Sequence, residues 1–186
     1  MRGFEHTSAA SVAEALARWG EQPSVATSII AGGTDLLPLM KDGLAVPARL
    51  IDIKPAGELR YLRWEDDGTL RIGALTTLAD LDRDVALNER LPMLLQAVRE
   101  AATPQLRTMA TVGGNLLQRN RCWYFRGPMQ CWLKGGEQCL ARDGENKYHA
   151  IFDESPCVAV HPSDLAPALI ALDAEVTLQR SGSSRT

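Results

Sequence analysis

The sequence predicts a globular chain of mixed helices and strands, and three observations predict it. A strand, glycine turn, helix and second strand follow one another between Ser28 and Ile53. A hairpin signal comes next, between Leu59 and Gly73. Capping residues and apolar periodicity then mark helices at 91–102 and 165–172. With 186 residues the chain can bury a real core, as one domain or as two small lobes. Apolar and charged fractions of 45% and 23% are ordinary for a globular protein. A formal charge of −3 gives no reason to expect nucleic acid or an anionic membrane as partner. There is no apolar run of about 18 residues to span a bilayer. Met1-Arg-Gly-Phe-Glu-His6 lacks the apolar centre of a signal peptide. The expected location is therefore the cytoplasm, or the periplasm where a partner subunit carries the export signal.

Ser11-Val-Ala-Glu14 reads as a capping box, and Val12, Leu16 and Trp19 share one apolar face, so a helix is expected over 11–20. Ser28-Ile-Ile-Ala31 is a short buried strand leading into Gly32-Gly-Thr-Asp35, and Leu36-Leu-Pro-Leu-Met-Lys41 is a helical turn. Amides at such a strand–glycine–helix junction can gather an anion, although a Gly-Gly pair is equally a plain tight turn. Arg49-Leu-Ile-Asp-Ile53 is a second buried strand, parallel to the first. Glu65-Asp-Asp-Gly68 turns the hairpin, Thr77 caps a short helix, and Pro92 opens the helix that Pro104 is expected to end. Asp164 is the expected N-cap of the last helix. Glu175-Val-Thr-Leu-Gln179 is a strand by composition, with no evident partner before the turn-like Ser181-Gly-Ser-Ser-Arg-Thr186.

The chemistry concentrates between Ala110 and Cys157. Ala110-Thr-Val-Gly-Gly-Asn115 brings bare backbone close to something, and all four cysteines follow with the spacing Cys122-x8-Cys131-x7-Cys139-x17-Cys157. Close pairs two to four residues apart, the usual zinc pattern, are missing. A 4Fe-4S cube takes one thiolate on each of four irons, so a long irregular loop can wrap it. Six Lys or Arg residues (Arg119, Arg121, Arg126, Lys134, Arg142, Lys147) outnumber three acids between Gln118 and Ala150, which suits an anionic cluster. Trp123, Tyr124, Phe125, Trp132, Tyr148 and Phe152 suggest a water-excluding wrap. His149 and His161 are read as packed or surface residues. A zinc-stabilised binding module without redox chemistry stays open as the rival.

Three motifs carry a resemblance. Ile30-Ala-Gly-Gly-Thr-Asp-Leu36, Ala110-Thr-Val-Gly-Gly-Asn-Leu116 and His161-Pro-Ser-Asp-Leu-Ala-Pro-Ala-Leu169 resemble, in this order, motifs of the FAD-binding subunit of molybdenum hydroxylases. The cysteine segment looks like the branch whose flavin subunits hold an extra 4Fe-4S cluster, that of aldehyde oxidoreductases and 4-hydroxybenzoyl-CoA reductase. The resemblance implies a two-lobed α+β FAD domain of the p-cresol methylhydroxylase/vanillyl-alcohol oxidase type. A small β-α-β lobe would cover 1–54. A lobe with a mainly antiparallel sheet and helices would cover 55–186, with the cluster loop at about 118–157.

It further implies that Ile29, Ile30, Ala31, Gly32, Gly33, Thr34, Asp35 and Leu36 surround the FAD pyrophosphate. Ala101 lies near the flavin, while Thr111, Gly113, Gly114 and Asn115 line flavin and phosphates and Asp164 bonds the cofactor. Cys122, Cys131, Cys139 and Cys157 ligate the cube, beside the flavin. The implied role is an electron-transfer oxidoreductase subunit. It passes electrons between 2Fe-2S centres on a small subunit and an external acceptor, with the molybdenum cofactor on a large subunit. Aldehyde or purine oxidation is the first expectation for the assembly and aromatic acyl-CoA reduction the second. Members of the family run about a hundred residues further, so the chain is expected to be an N-terminal portion.

Overall fold

The structure, a computed structural model, describes residues 1–21, 25–152, 154–180 and 182–186. The chain forms two compact units: residues 1–117 with 163–186, and residues 118–162. No helix among the described residues is long and apolar enough to cross a membrane.

The first unit begins with β1 (Glu5–Ser8), α1 (Val12–Glu21), β2 (Thr27–Ile30), α2 (Leu36–Lys41) and β3 (Arg49–Asp52). The strands form a three-stranded parallel sheet in the order β1-β3-β2. All of β3 is buried because it is the central strand. Successive side chains alternate between its faces. Ile51 packs with Ala9 and Ala15 of the α1 region, and Leu50 packs with Ile30 and Met40 of the α2 region. Arg49 is 2% exposed. Its guanidinium donates to the Arg18 carbonyl at 2.5 Å and to Glu21 at 3.3 Å, which pins the end of α1 to the sheet.

The expected cap of α1 forms with one change. The Glu14 amide donates to Ser11 Oγ at 3.1 Å, while the Glu14 carboxylate takes the amide of Ala10, not that of Ser11. Strand β1 was not expected. Glu5-His-Thr-Ser8 is polar and mostly exposed, and it joins the sheet through backbone pairing at an edge, where apolar alternation is not needed.

A hairpin of β4 (Leu62–Trp64) and β5 (Leu70–Ile72) follows. Next come α3 (Leu78–Arg83), α4 (Val85–Arg90), α5 (Pro92–Glu100), α6 (Pro104–Arg107) and α7 (Val112–Leu116). The second unit contains α8 (Trp123–Arg126). The first unit then resumes with α9 (Leu165–Ala171), β6 (Leu178–Arg180) and β7 (Ser183–Arg185). Thr77 and Asp80 form a reciprocal capping box that starts α3. The main core joins Leu78, Leu81, Leu87, Leu94, Leu95, Val98, Leu165 and Ala168, with Leu62, Trp64, Leu70 and Ile72 of the hairpin packed on it. Each fully buried leucine contributes about 1.5–3 kcal/mol by leaving water.

Two expectations are corrected. Helix α5 ends at Glu100, followed by Ala102 at φ 55°, so Pro104 does not end it. Proline instead takes the first position of α6, where its missing N–H costs nothing, and Thr103 Oγ1 accepts the Leu106 amide at 3.3 Å. The strand expected over 175–179 forms only from Leu178, as β6, and it finds a partner in β7, with which it pairs antiparallel. Ser181, between them, lies outside the described residues.

Candidate functional site

In the first unit, β2 delivers the chain through Ala31–Asp35 into α2. At Gly32 a Cβ would stand 1.8 Å from the Met109 carbonyl oxygen, so only glycine lets this loop run against the Met109–Ala110 backbone. The two glycine motifs, 77 residues apart in sequence between Gly32 and Met109, are thereby neighbours. Among the described residues the amides of Gly32, Gly33 and Thr34 make no hydrogen bond. Three idle donors on one turn are what an anionic group can satisfy. Lys54 stands at the same turn. Its Nζ is 2.8 Å from Asp52 Oδ2 and 3.4 Å from the Ala31 carbonyl oxygen, to which it donates. Lys54 was not singled out from the sequence. Its position directly after a buried strand that ends beside the glycine turn was the available signal.

The second glycine motif is built differently. Val112 and Gly113 donate to the carbonyls of Thr76 and Ala74, both at 2.9 Å, and Asn115 donates to Thr111 at 2.8 Å. Thr111 Oγ1 accepts the Gly114 amide at 3.2 Å as the N-cap of α7. The amides expected to be bare here are thus employed inside the fold. Asn115 Oδ1 accepts a 2.5 Å hydrogen bond from Ser163 Oγ. Ser163, 3% exposed, also accepts the Ala166 amide at 3.1 Å. It caps α9, whereas Asp164 is exposed and its side chain caps nothing. Asp164 holds the N-cap position as expected, and the capping hydrogen bond comes from Ser163 one residue before it. Serine and aspartate cap about equally well, and the chain path selects the one that also reaches Asn115.

The remaining candidates scatter around these loops. Ile29 is 45% exposed on the open side of β2, and Ile30 is buried beneath it. Ala101 is buried in the main core. Its carbonyl, with those of Arg99 and Ala102, accepts from Arg107 Nη1 at 3.0–3.3 Å. Ala101 therefore presents backbone held by Arg107 and no exposed side chain.

In the second unit all four cysteines are free thiols: Cys131 is buried, and Cys122, Cys139 and Cys157 are half-buried. The Cys157 thiol is pushed up, first by burial and then by the charges of Cys139, Cys131 and Cys122, against a hydrogen bond from the Ala159 amide. Each of the other three sulfurs is therefore within electrostatic reach of Cys157. Bringing such thiols together as bare thiolates is unfavourable, and metal coordination reverses that cost. Among the described residues no three His, Cys, Asp or Glu groups converge on a single ion. Four thiols are the donor set that a 4Fe-4S cube takes, one on each iron.

The basic residues of this unit close its loops. Arg126 donates to the carbonyls of Asn120 and Arg119 at 2.9 and 3.0 Å, Lys134 to that of Gly127 at 2.7 Å, and Arg142 to that of Ser155. Gly136 sits where a Cβ would come 3.0 Å from the backbone of Cys131, whose carbonyl accepts the amides of Lys134 and Gly136. The aromatic wrap is only partial. Trp123, Tyr124 and Phe125 are half-buried on α8, but Tyr148 and Phe152 are 69% and 85% exposed, because they lie on open loop. His149 is not a bystander. Its Nε2 is 3.1 Å from Cys122 Sγ, and its ring stands edge-on to Trp123 with centroids 4.9 Å apart. Sequence spacing could not reveal a contact across 27 residues. His161 is exposed.

Residues 2–186 match the family described as the FAD binding domain in molybdopterin dehydrogenase. Over 190 aligned residues the chain is 39% identical to the aldehyde oxidoreductase FAD-binding subunit PaoB of Escherichia coli K12, covering all of this chain and 59% of PaoB. A solved carbon monoxide dehydrogenase of Hydrogenophaga pseudoflava shares 41% identity and a TM-score of 0.58 over 61% of this chain and 39% of its own. Quinoline 2-oxidoreductase of Pseudomonas putida 86 shares 30% identity and a TM-score of 0.57 over 62% and 39%. The chain thus spans 59% or less of the length of these relatives. Its mixed helix-and-strand fold is that of the carbon monoxide dehydrogenase domain, and the chain belongs to the FAD-binding domain family of the molybdopterin dehydrogenases.

Proposed function

We propose that this chain is the flavin- and iron-sulfur-bearing portion of the medium subunit of a molybdenum-cofactor aldehyde oxidoreductase. FAD is held by residues of both lobes, 1–54 and 55–186, of a p-cresol methylhydroxylase-type domain. The idle amides of Gly32, Gly33 and Thr34 and the cation of Lys54 take the pyrophosphate, with Ile29, Ile30, Ala31, Asp35 and Leu36 around it. Thr111, Gly113, Gly114 and Asn115 shape the wall beside the flavin. Ser163 orients Asn115, Asp164 faces solvent for a polar contact, and Arg107 sets the backbone at Ala101. Cys122, Cys131, Cys139 and Cys157 hold a 4Fe-4S cluster. Bound FAD and cluster supply one- and two-electron transfer, and the chain's residues bind them, fix their orientation and set their electrostatics. Partners are a large molybdenum subunit and a small 2Fe-2S subunit, with an external acceptor.

The observation that carries this reading is the extent of the match. PaoB aligns with the whole chain, cysteine segment included, whereas the carbon monoxide dehydrogenase chain aligns with 61% of it. Anaerobic purification followed by visible and EPR spectra and iron, sulfide and zinc analysis tests it. Flavin bands with a reducible 4Fe-4S signal are expected. Stoichiometric zinc without a chromophore would overturn the proposal. Cys131→Ser is expected to remove the iron signal and leave most of the flavin.

A further inference from the structure

Resting on the cluster reading above, we infer that His149 is a positioning residue that donates a hydrogen bond from Nε2 to the Cys122 sulfur and thereby raises the reduction potential of the cluster. The contact is 3.1 Å, within reach of an N–H···S bond. A cysteine sulfur bound to iron carries no proton and can only accept, so the imidazole proton must sit on Nε2. Nδ1 is buried with no partner among the described residues. The tautomer with its proton on Nε2 leaves a bare lone pair there, and no buried N–H is stranded.

The ring is held for this role by an aromatic neighbour and by its own backbone. Trp123 meets it edge-to-face at 81°, with Tyr148 packed on Trp123 in turn at 6.1 Å. The His149 amide donates to the Asn146 carbonyl at 2.9 Å, and the next amide, of Ala150, donates to Val158, one residue beyond Cys157, at 2.8 Å. The histidine is therefore braced by the loop that carries Cys157 and aimed at Cys122. Reduction adds negative charge to the cluster and its sulfurs, so this donor stabilises the reduced state more than the oxidised one.

The test uses the anaerobically purified complex and its His149→Leu and His149→Gln variants. It combines EPR-monitored redox titration, iron and sulfide content, and weak-coupling spectroscopy of protein labelled with [15N]histidine. In His149→Leu the reduced-to-oxidised ratio at fixed ambient potential is expected to fall about tenfold, ~59 mV for one electron. Glutamine keeps an N–H donor and is expected to stay within about threefold. Unmodified protein is expected to show one weak 15N coupling, too small for an iron–nitrogen bond, that both variants lack.

Unchanged potential in His149→Leu with full iron overturns the inference and leaves the cluster standing. Absence of iron from the unmodified protein overturns the cluster reading instead. Should His149→Leu lose iron, the labelled unmodified protein decides. No coupling, or one large enough for direct ligation, overturns the inference.

Discussion

The two compact units are held together by different forces. In the first, eleven buried residues, all of them leucine, valine or alanine, form one continuous apolar core. Among the described residues of the second, only Cys131, Ala141 and Val158 are buried apolar groups. Its order comes instead from cations clasping carbonyls. Hydrogen bonds of that kind each contribute only about 0.5–1.5 kcal/mol net, so the cluster proposed above would add to the stability of this unit. One chain thus carries a unit ordered by an apolar core and a unit ordered chiefly by hydrogen bonds from its cations.

The largest expected effect breaks that contrast directly. Anaerobic iron removal is expected to abolish amide hydrogen-exchange protection over 118–162 while 78–100 stays protected. Equal loss in both regions would erase the distinction. Leu81→Ala, at a site 0% exposed, is expected to cost about 2–5 kcal/mol, read as a lowered Tm with iron content unchanged. Gly32→Ala must push the Met109 backbone away. It is expected to cost about 1–3 kcal/mol and to release FAD on gel filtration, again with iron retained.

Smaller effects sharpen the picture of the first unit. Thr77→Ala removes a cap and is expected to cost about 1 kcal/mol in denaturant unfolding. Burial pushes the Asp80 carboxyl up, but hydrogen bonds from the Thr77 amide and hydroxyl and from Arg60 outweigh it, so the group lies below its ordinary value. A carboxylate depressed in the folded state contributes stability that is present above its unfolded value and lost as pH falls through the folded one. Acid titration of stability below about pH 4 is therefore expected to be shallower in Asp80→Asn, measured by urea midpoints.

Sequence reading succeeded where local rules decide. The apolar pair Leu50-Ile51, the turn Glu65–Gly68 and the Thr77 cap each declare their element through nearest neighbours. Strand β1 escaped because Glu5–Ser8 are polar and gain their structure from β3, more than forty residues on. Ser163 and Asp164 were indistinguishable as caps until the chain path placed one against Asn115. The cysteines announced themselves by clustering. The His149 contact and the saturated amides of 112–115 exist only through space, and no spacing rule encodes them.

The hydrogen bond between Asn115 and Ser163 spans 48 positions, and the second unit occupies almost all of that interval. The chain leaves its core and rejoins it at a stapled neck. Lengthening a closed loop costs only about 0.6 kcal/mol per doubling. With its neck fastened, this position can carry a compact segment of either length at little entropic cost to the core it leaves and rejoins.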